Sequence, residues 1–174
     1  MPGDDRPIAL VGLMGAGKSA VAVRLAALLG AGFVDLDARI EADSGKSIAE
    51  LFEREGEAVF RRLESTTLEH ALESGARVIA CGGGVVTDPA SRSRLRERCH
   101  VVWLEVTPGE AARRVAGTQV RRPLLREGDA VERLGALLEQ RGALYAEVAG
   151  LRIPTTGLTP DEVAQAVLGA LSGT

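Results

Sequence analysis

Residues 12–19 read GLMGAGKS and fit the pattern G-x-x-x-x-G-K-[ST]. Glycines allow a tight turn whose backbone N–H groups point at phosphate oxygens, and the helix that follows adds the positive end of its dipole. In such a loop Lys18 reaches the outer phosphates of a nucleotide, and the hydroxyl of Ser19 binds Mg²⁺. The stretch therefore predicts a phosphate-binding loop for ATP and magnesium.

The sequence around this loop alternates short apolar runs with longer helical patterns. A strand is expected directly before the loop, and a buried helix is expected at 19–29, with Val21, Leu25 and Leu28 on one stripe. Residues 38–74 have helical periodicity, broken near Gly45 and Gly56. The predicted strands are 8–11, 33–36, 78–80, 101–106 and 151–154.

Further helix starts are marked by a capping side chain before proline, at Asp88, Thr107 and Thr159. Glu110 and Glu162 are predicted to complete capping boxes at the last two. Strands that alternate with helices indicate an α/β fold with a parallel sheet covered on both faces. Ligands bind such sheets at the carboxyl ends of the strands.

Two acidic residues follow the second predicted strand. If the segment is extended, Asp35 and Asp37 point to the same side and can both face the phosphate loop. One could hold magnesium or its water, and the other could take a proton from an alcohol. Acidic turns after strands are common, so the pair becomes informative only beside the phosphate loop.

Three consecutive glycines, Gly82, Gly83 and Gly84, follow the third predicted strand. They indicate either close approach of the backbone to a ligand or a tight turn. Arg61 and Arg62 cannot point the same way on a helix, and such a pair is usually a solvated face. A second Gly-Lys-Ser tripeptide at 45–47 lacks the first glycine and a preceding strand, so Lys46 is predicted to be a surface residue.

Composition limits the classes of function. The chain of 174 residues fits one domain, and a net charge of −3 argues against a nucleic-acid or membrane-surface partner. The N-terminus lacks the features of a signal peptide, and no apolar run approaches the ~20 residues of a membrane span. A cytoplasmic monomer is expected. Cys81 and Cys99 are predicted to be small buried side chains.

These motifs, in this order and spacing, resemble the shikimate kinases, and the resemblance runs from about residue 8 to 171. It is carried by the phosphate loop, by the D-x-D at 35–37, by Phe60-Arg61 and by GGGVVT at 82–87. It is also carried by RPLL at 122–125 and by Arg141 ahead of Leu144-Tyr145.

The resemblance implies a five-stranded parallel sheet of order 2-3-1-4-5 and phosphorylation of the 3-hydroxyl of shikimate by ATP. Asp37 would orient that hydroxyl, and Asp35 would sit near magnesium together with Ser19. Arg61 and Arg141 would clamp the shikimate carboxylate, Glu64 would help to shape the pocket, and the three glycines would line the ring. The ATP-binding residues implied are Gly15, Ala16, Gly17, Lys18, Ser19, Ala20, Arg114, Arg122 and Pro160, and among these Arg114 and the Pro160 region would flank adenine.

Residues 117–129 have little periodicity and contain three arginines, so they are predicted to be a mobile surface loop between two helices. The resemblance implies that this loop is a lid that closes over the phosphates. Arg122 would neutralise charge in the transition state, since adjacency to Pro123 favours it over Arg121. The single domain is expected to comprise a core at 8–116 and 130–171, within which 37–65 form a substrate-binding helical segment. The alternatives are a kinase for gluconate or a nucleotide, and a non-catalytic module that binds nucleotide or nucleic acid.

Overall fold

The computed structural model describes residues 5–117 and 129–173, which form one parallel sheet with helices on both faces. The strands are β1 Ile8–Val11, β2 Phe33–Asp35, β3 Val78–Ala80, β4 His100–Glu105 and β5 Leu151–Pro154. They are ordered β2-β3-β1-β4-β5, and every pairing is parallel. This confirms the predicted strand order.

Eight α-helices are present in the described ranges. They are α1 Lys18–Leu29, α2 Leu36–Ser44, α3 Ile48–Glu55, α4 Glu57–Glu73, α5 Pro89–Arg98, α6 Pro108–Ala116, α7 Ala130–Val148 and α8 Pro160–Ser172. A short 3-10 helix spans Val85–Thr87. The predicted breaks are confirmed, because Gly45 ends α2 and Gly56 separates α3 from α4.

The sheet separates two apolar cores. Side chains alternate along β1, so that Ile8 and Leu10 pack with α1, α6 and α8, whereas Ala9 and Val11 pack with α4, α5 and α7. A third, smaller core joins α2, α3 and α4 through Ile40, Leu51 and Phe60. The three helices α2 to α4 therefore share apolar packing of their own in addition to the two cores at the sheet.

The helix after the phosphate loop is only partly buried, which corrects the prediction for its stripe. Leu28 is 54% exposed, whereas Val21 and Leu25 are buried as expected. Ala22 and Ala26 complete the buried stripe, so the buried face is turned away from Leu28. The sequence could not fix this orientation, because it depends on where α8 packs against α1.

The carboxyl ends of the strands lie at one edge of the sheet, where the predicted loops meet. The loop after β1 leads into α1, β2 ends at Asp35, and β3 leads into the three glycines. Thr107 follows β4 as the N-cap of α6, and the segment after β5 leads to α8. No helix in the described part of the chain meets the length and hydropathy of a membrane span.

Candidate active site

The phosphate loop is held by glycines that no other residue could replace without strain. Gly15 has a φ of 81°, and a Cβ built there would lie 2.7 Å from the carbonyl oxygen of Ala111. Gly17 is the N-cap of α1 with a φ of 90°. The ammonium group of Lys18 donates to the carbonyl oxygens of Gly12 (2.8 Å) and Leu13 (3.0 Å). The loop is therefore shaped, with its cation in place, by contacts within the protein.

We expect Gly15→Ala to destabilise the fold more than Gly30→Ala. Both glycines have positive φ, which costs a non-glycine residue about 1–2 kcal/mol. A Cβ at Gly30 meets nothing within 4 Å, but a Cβ at Gly15 meets the backbone of Ala111, which cannot rotate away. Such overpacking typically costs a further ~1–3 kcal/mol. Equal urea midpoints for the two variants would contradict this reading of the loop.

Asp35 and Asp37 do not share an extended segment, which corrects the sequence prediction. The strand ends at Asp35, whose carboxylate caps α2 by accepting a hydrogen bond from the N–H of Ala38 (3.1 Å). Asp37 lies in the first turn of α2. Leu36 between them is fully buried and is the first residue of α2, so the chain changes from strand to helix at this point. The two carboxylates consequently serve different parts of the site.

Asp35 lies at the phosphate loop and Asp37 lies in a neighbouring pocket. The other carboxylate oxygen of Asp35 accepts a short hydrogen bond from the hydroxyl of Ser19. Asp37 lines a pocket with side chains from α3, α4 and α7 and with the glycine turn. The residues that line it are Met14, Asp37, Ile48, Phe52, Phe60, Arg61, Glu64, Gly82, Gly83, Gly84 and Arg141.

We call this pocket the acceptor pocket, for the molecule that would accept a phosphoryl group. It lies beside the turn at Gly82, Gly83 and Gly84 (the glycine turn), where the chain has no side chains. None of the three glycines has a positive φ, so the turn does not require them for backbone reasons. A Cβ at Gly82 would overlap the carboxylate of Glu64, and a Cβ at Gly84 would overlap the guanidinium of Arg61. Gly82 and Gly84 therefore leave room for the charged groups of Glu64 and Arg61 in the pocket, which favours the ligand interpretation over the tight turn.

Arg61 is held in the pocket by a buried partner and an exposed one. Its Nη1 donates to Glu64 Oε2 at 2.6 Å, and its Nη2 donates to Glu57 Oε1 at 3.3 Å. Its guanidinium also lies over the rings of Phe60 and Phe52. The Glu57 side chain is 60% exposed, so that ion pair is weak and can give way to a ligand. Arg62 is exposed, as a helical neighbour must be.

Glu64 and Arg141 are buried charged residues with unsatisfied atoms. Burial raises the pKa of the Glu64 carboxyl, and the neighbouring Arg61 opposes this shift. Glu64 Oε1 and Arg141 Nε are buried and make no hydrogen bond with any described residue. Unpaired buried polar atoms are costly, and in native proteins they call for a partner. The pocket thus offers an acceptor and a donor to a bound molecule.

The acceptor pocket adjoins the phosphate loop. A Cβ at Gly83 would lie 3.5 Å from the carbonyl oxygen of Gly12 and from the N–H nitrogen of Met14. The same point lies 3.7 Å from Arg141 Nη1. The hydroxyl of Tyr145, which is fully buried on α7, donates to the carbonyl oxygen of Gly83. The glycine turn is therefore fixed between the phosphate loop and Arg141.

A second pocket lies on the other side of the phosphate loop. It brings together predicted ATP-binding residues, among them Arg114 and Pro160, with the segment after β5. The described residues that line it are Ala16, Gly17, Ala20, Val21, Glu110, Arg113, Arg114, Thr155, Gly157, Leu158, Thr159, Pro160 and Val163. Thr155 and Glu110 were not predicted as site residues. The spacing of Glu110 from the two arginines, three and four positions, was a signal for the contact.

The other predicted residues divide into those described and those not. The lid at 117–129 lies almost entirely outside the described residues, and Arg121 and Arg122 lie outside them too. Cys81 and Cys99 are buried free thiols, as predicted. Lys46 lies between α2 and α3, forms an ion pair with Glu55 at the end of α3, and is partly exposed.

Comparison with known proteins identifies the family of this chain. A family model described as shikimate kinase matches residues 14–172. A shikimate kinase of Mycobacterium marinum is 43% identical over 162 residues, covering 93% of this chain and 87% of the relative. A solved shikimate kinase of Acinetobacter baumannii in complex with shikimate has a TM-score of 0.93 at 38% identity, covering 97% of this chain and 93% of its own. A gluconokinase of Sinorhizobium meliloti, with a TM-score of 0.60 at 19% identity, shares the fold.

Proposed function

The chain belongs to the shikimate kinase family, and from this premise we propose that it transfers the γ-phosphoryl group of ATP to the 3-hydroxyl of shikimate. The observation that carries the proposal is that buried polar atoms of the acceptor pocket lack hydrogen-bond partners among the described residues. Arg141 Nε needs an acceptor such as a carboxylate, and Glu64 Oε1 needs a donor such as a hydroxyl. A hydroxy acid next to the phosphate loop supplies both.

The charges of the pocket fit this acceptor. Arg61 and Arg141 approach from α4 and α7, so two guanidinium groups can bind one carboxylate with charge-assisted hydrogen bonds. Asp37 then faces the hydroxyl groups. We propose that it accepts the hydrogen bond of the attacking hydroxyl and takes its proton as the new P–O bond forms. The bond from the γ-phosphorus to the bridging oxygen breaks, and ADP leaves.

The residues at the start of α1 and the end of β2 fit a magnesium ion. The hydroxyl of Ser19 and the carboxylate of Asp35 are in direct contact, and hard oxygen atoms are the ligands that Mg²⁺ prefers. We propose that Ser19 binds the ion and that Asp35 holds one of its waters. At this place Mg²⁺ would supply positive charge that offsets the charge of the phosphate groups. Arg122 is proposed to add positive charge at the transferring phosphoryl group.

A coupled ADP-release assay tests the reaction. The enzyme is supplied with ATP and Mg²⁺, and with shikimate, gluconate, AMP, CMP or no acceptor. We expect rapid ADP release with shikimate alone. Turnover with another acceptor would be consistent with the role of the phosphate loop, but it would contradict the carboxylate-binding role of Arg61 and Arg141. A monomer in the cytoplasm, where ATP is available, remains our proposal and can be checked by light scattering and cell fractionation.

Arg61→Lys is expected to raise the KM for shikimate by about 10- to 100-fold while kcat and the KM for ATP change little. Lysine keeps the positive charge but loses the planar fork that binds a carboxylate through two nitrogens. The matched control is Arg62→Lys on the next residue, which is exposed and should leave all constants unchanged. Equal effects of the two substitutions on the KM for shikimate would contradict the assignment of Arg61 as a substrate-binding residue.

A further inference from the structure

Glu110 was predicted to complete a capping box at the start of α6, and the structure gives it another role. Thr107 caps the helix by accepting a hydrogen bond from the N–H of Glu110 (3.3 Å). The Glu110 carboxylate bonds Arg113 and Arg114 instead of returning to the N-cap, so in the described structure only half of the box forms. At α8, by contrast, Thr159 and Glu162 form the complete box.

All three nitrogens of the Arg114 guanidinium donate hydrogen bonds. Nε donates to Glu110 (2.7 Å), and Nη2 donates to the carbonyl oxygen of Thr155 (2.8 Å). Nη1 donates to the carbonyl oxygen of Gly15 and to the hydroxyl of Thr155, each at 3.2 Å. Because the N–H bonds of a guanidinium lie in its plane, these contacts use its edges, and Arg114 can present a flat face to the pocket that it lines.

A flat cationic face is suited to an aromatic ring. Guanidinium groups stack on π systems, whereas a phosphate is bound by their N–H edges. Among the described residues that line this pocket no side chain is aromatic, and the Arg114 side chain is 23% exposed. Pro160, Leu158 and Val163 supply apolar surface in the same pocket. This lining fits the implication of the family resemblance that Arg114 and the Pro160 region flank adenine.

We propose that Glu110 is a positioning residue for the nucleotide base, which holds the face of Arg114 toward the pocket and so separates base binding from phosphate binding. The inference rests on the proposed use of ATP. The two arginines, with the Arg113 hydrogen bond as the largest cause, lower the pKa of Glu110 to about 2. Glu110 is consequently ionised, and able to accept both arginines, throughout the neutral pH range.

Binding of ADP and of inorganic tripolyphosphate, each measured by calorimetry without shikimate, tests the proposal. Glu110→Ala is expected to raise the Kd of ADP about tenfold, the effect of losing one well-placed cation–π contact. The Kd of tripolyphosphate, which has no base, should stay the same. Glu110→Gln keeps an oxygen for Arg114 Nε and should lie between the wild type and the alanine variant. It also carries the test if the alanine variant does not fold.

Glu132→Gln is the matched control. Glu132 lies at the third position of α7, as Glu110 does in α6, and it is exposed. It should leave both Kd values unchanged. An unchanged Kd of ADP in Glu110→Ala would overturn the proposal. So would an equal loss for tripolyphosphate, because Glu110 would then act through Gly15 and the phosphate loop. The binding measurements contain no phosphoryl acceptor. The comparison of ADP with tripolyphosphate therefore remains valid even if shikimate proves not to be the substrate.

Discussion

Replacement of Asp37 by asparagine is expected to lower kcat by about 10²- to 10⁴-fold, the range for loss of a positioned proton acceptor. Asparagine has nearly the same shape and can still hold a hydroxyl group, but it cannot take the proton. The KM for ATP should change little, because Asp37 lines the acceptor pocket and not the pocket beside Arg114. The measurement is the steady-state rate of ADP release at saturating ATP and shikimate.

The control for this experiment lies on the same helix. Asp43 is 55% exposed and accepts a hydrogen bond from Arg39 Nε at 2.8 Å, one helical turn away. Asp43→Asn makes the same chemical change in α2 without touching the pocket, so its kcat should equal that of the wild type. A kcat for Asp37→Asn that matches this control would remove Asp37 from the reaction and leave only a binding role.

Replacement of Lys18 by methionine is expected to lower kcat by about 10²- to 10³-fold, as loss of one fixed donor at a developing charge does in other enzymes. The Lys18 ammonium is already held at the loop by the carbonyl oxygens of Gly12 and Leu13. It can therefore meet the outer phosphates without a large reorganisation. The Kd of ADP should also rise, and calorimetry would measure it.

Lys46→Met is the matched control, because Lys46 stands in the same tripeptide, Gly-Lys-Ser. Lys46 pairs with Glu55 and lies between α2 and α3, away from the phosphate loop. Its loss should affect neither kcat nor the Kd of ADP. If both lysine variants kept the wild-type kcat, the assignment of residues 12–19 as the catalytic phosphate loop would be wrong.

Local patterns in the sequence predicted the elements that depend on local physics. The strands at 8–11, 78–80 and 151–154 and the helix breaks at Gly45 and Gly56 follow from short apolar runs and from glycine. The orientation of Leu28 could not be predicted, because the buried face of α1 is decided by a helix far along the chain. The turn of Asp37 into α2 had a signal: Asp35 stands before a helical pattern, as an N-cap does.

The roles of individual residues in the candidate site were harder to predict from the sequence than the location of the site. Glu64 lies three positions after Arg61, a spacing that brings two helical residues into contact, but burial decides what the pair does. The sequence shows neither that Glu64 is 2% exposed nor that one of its oxygens lies beside Gly82. The roles of Glu110 and Thr155 depend on the meeting of α6 with the segment after β5. Only the folded chain brings these two together.

The phosphate loop and its packing partners are far apart along the chain, and the partners are synthesised later. The carbonyl oxygen of Gly15 is bonded by Arg114, 99 positions further along the chain. The central strand β1 likewise pairs with β3 and β4. Contacts between distant residues slow folding, because long loops must close before the contacts form. A nascent chain on the ribosome therefore cannot complete its nucleotide pocket until the segment after β5 and the start of α8 have emerged, so nucleotide binding would follow the folding of these late segments.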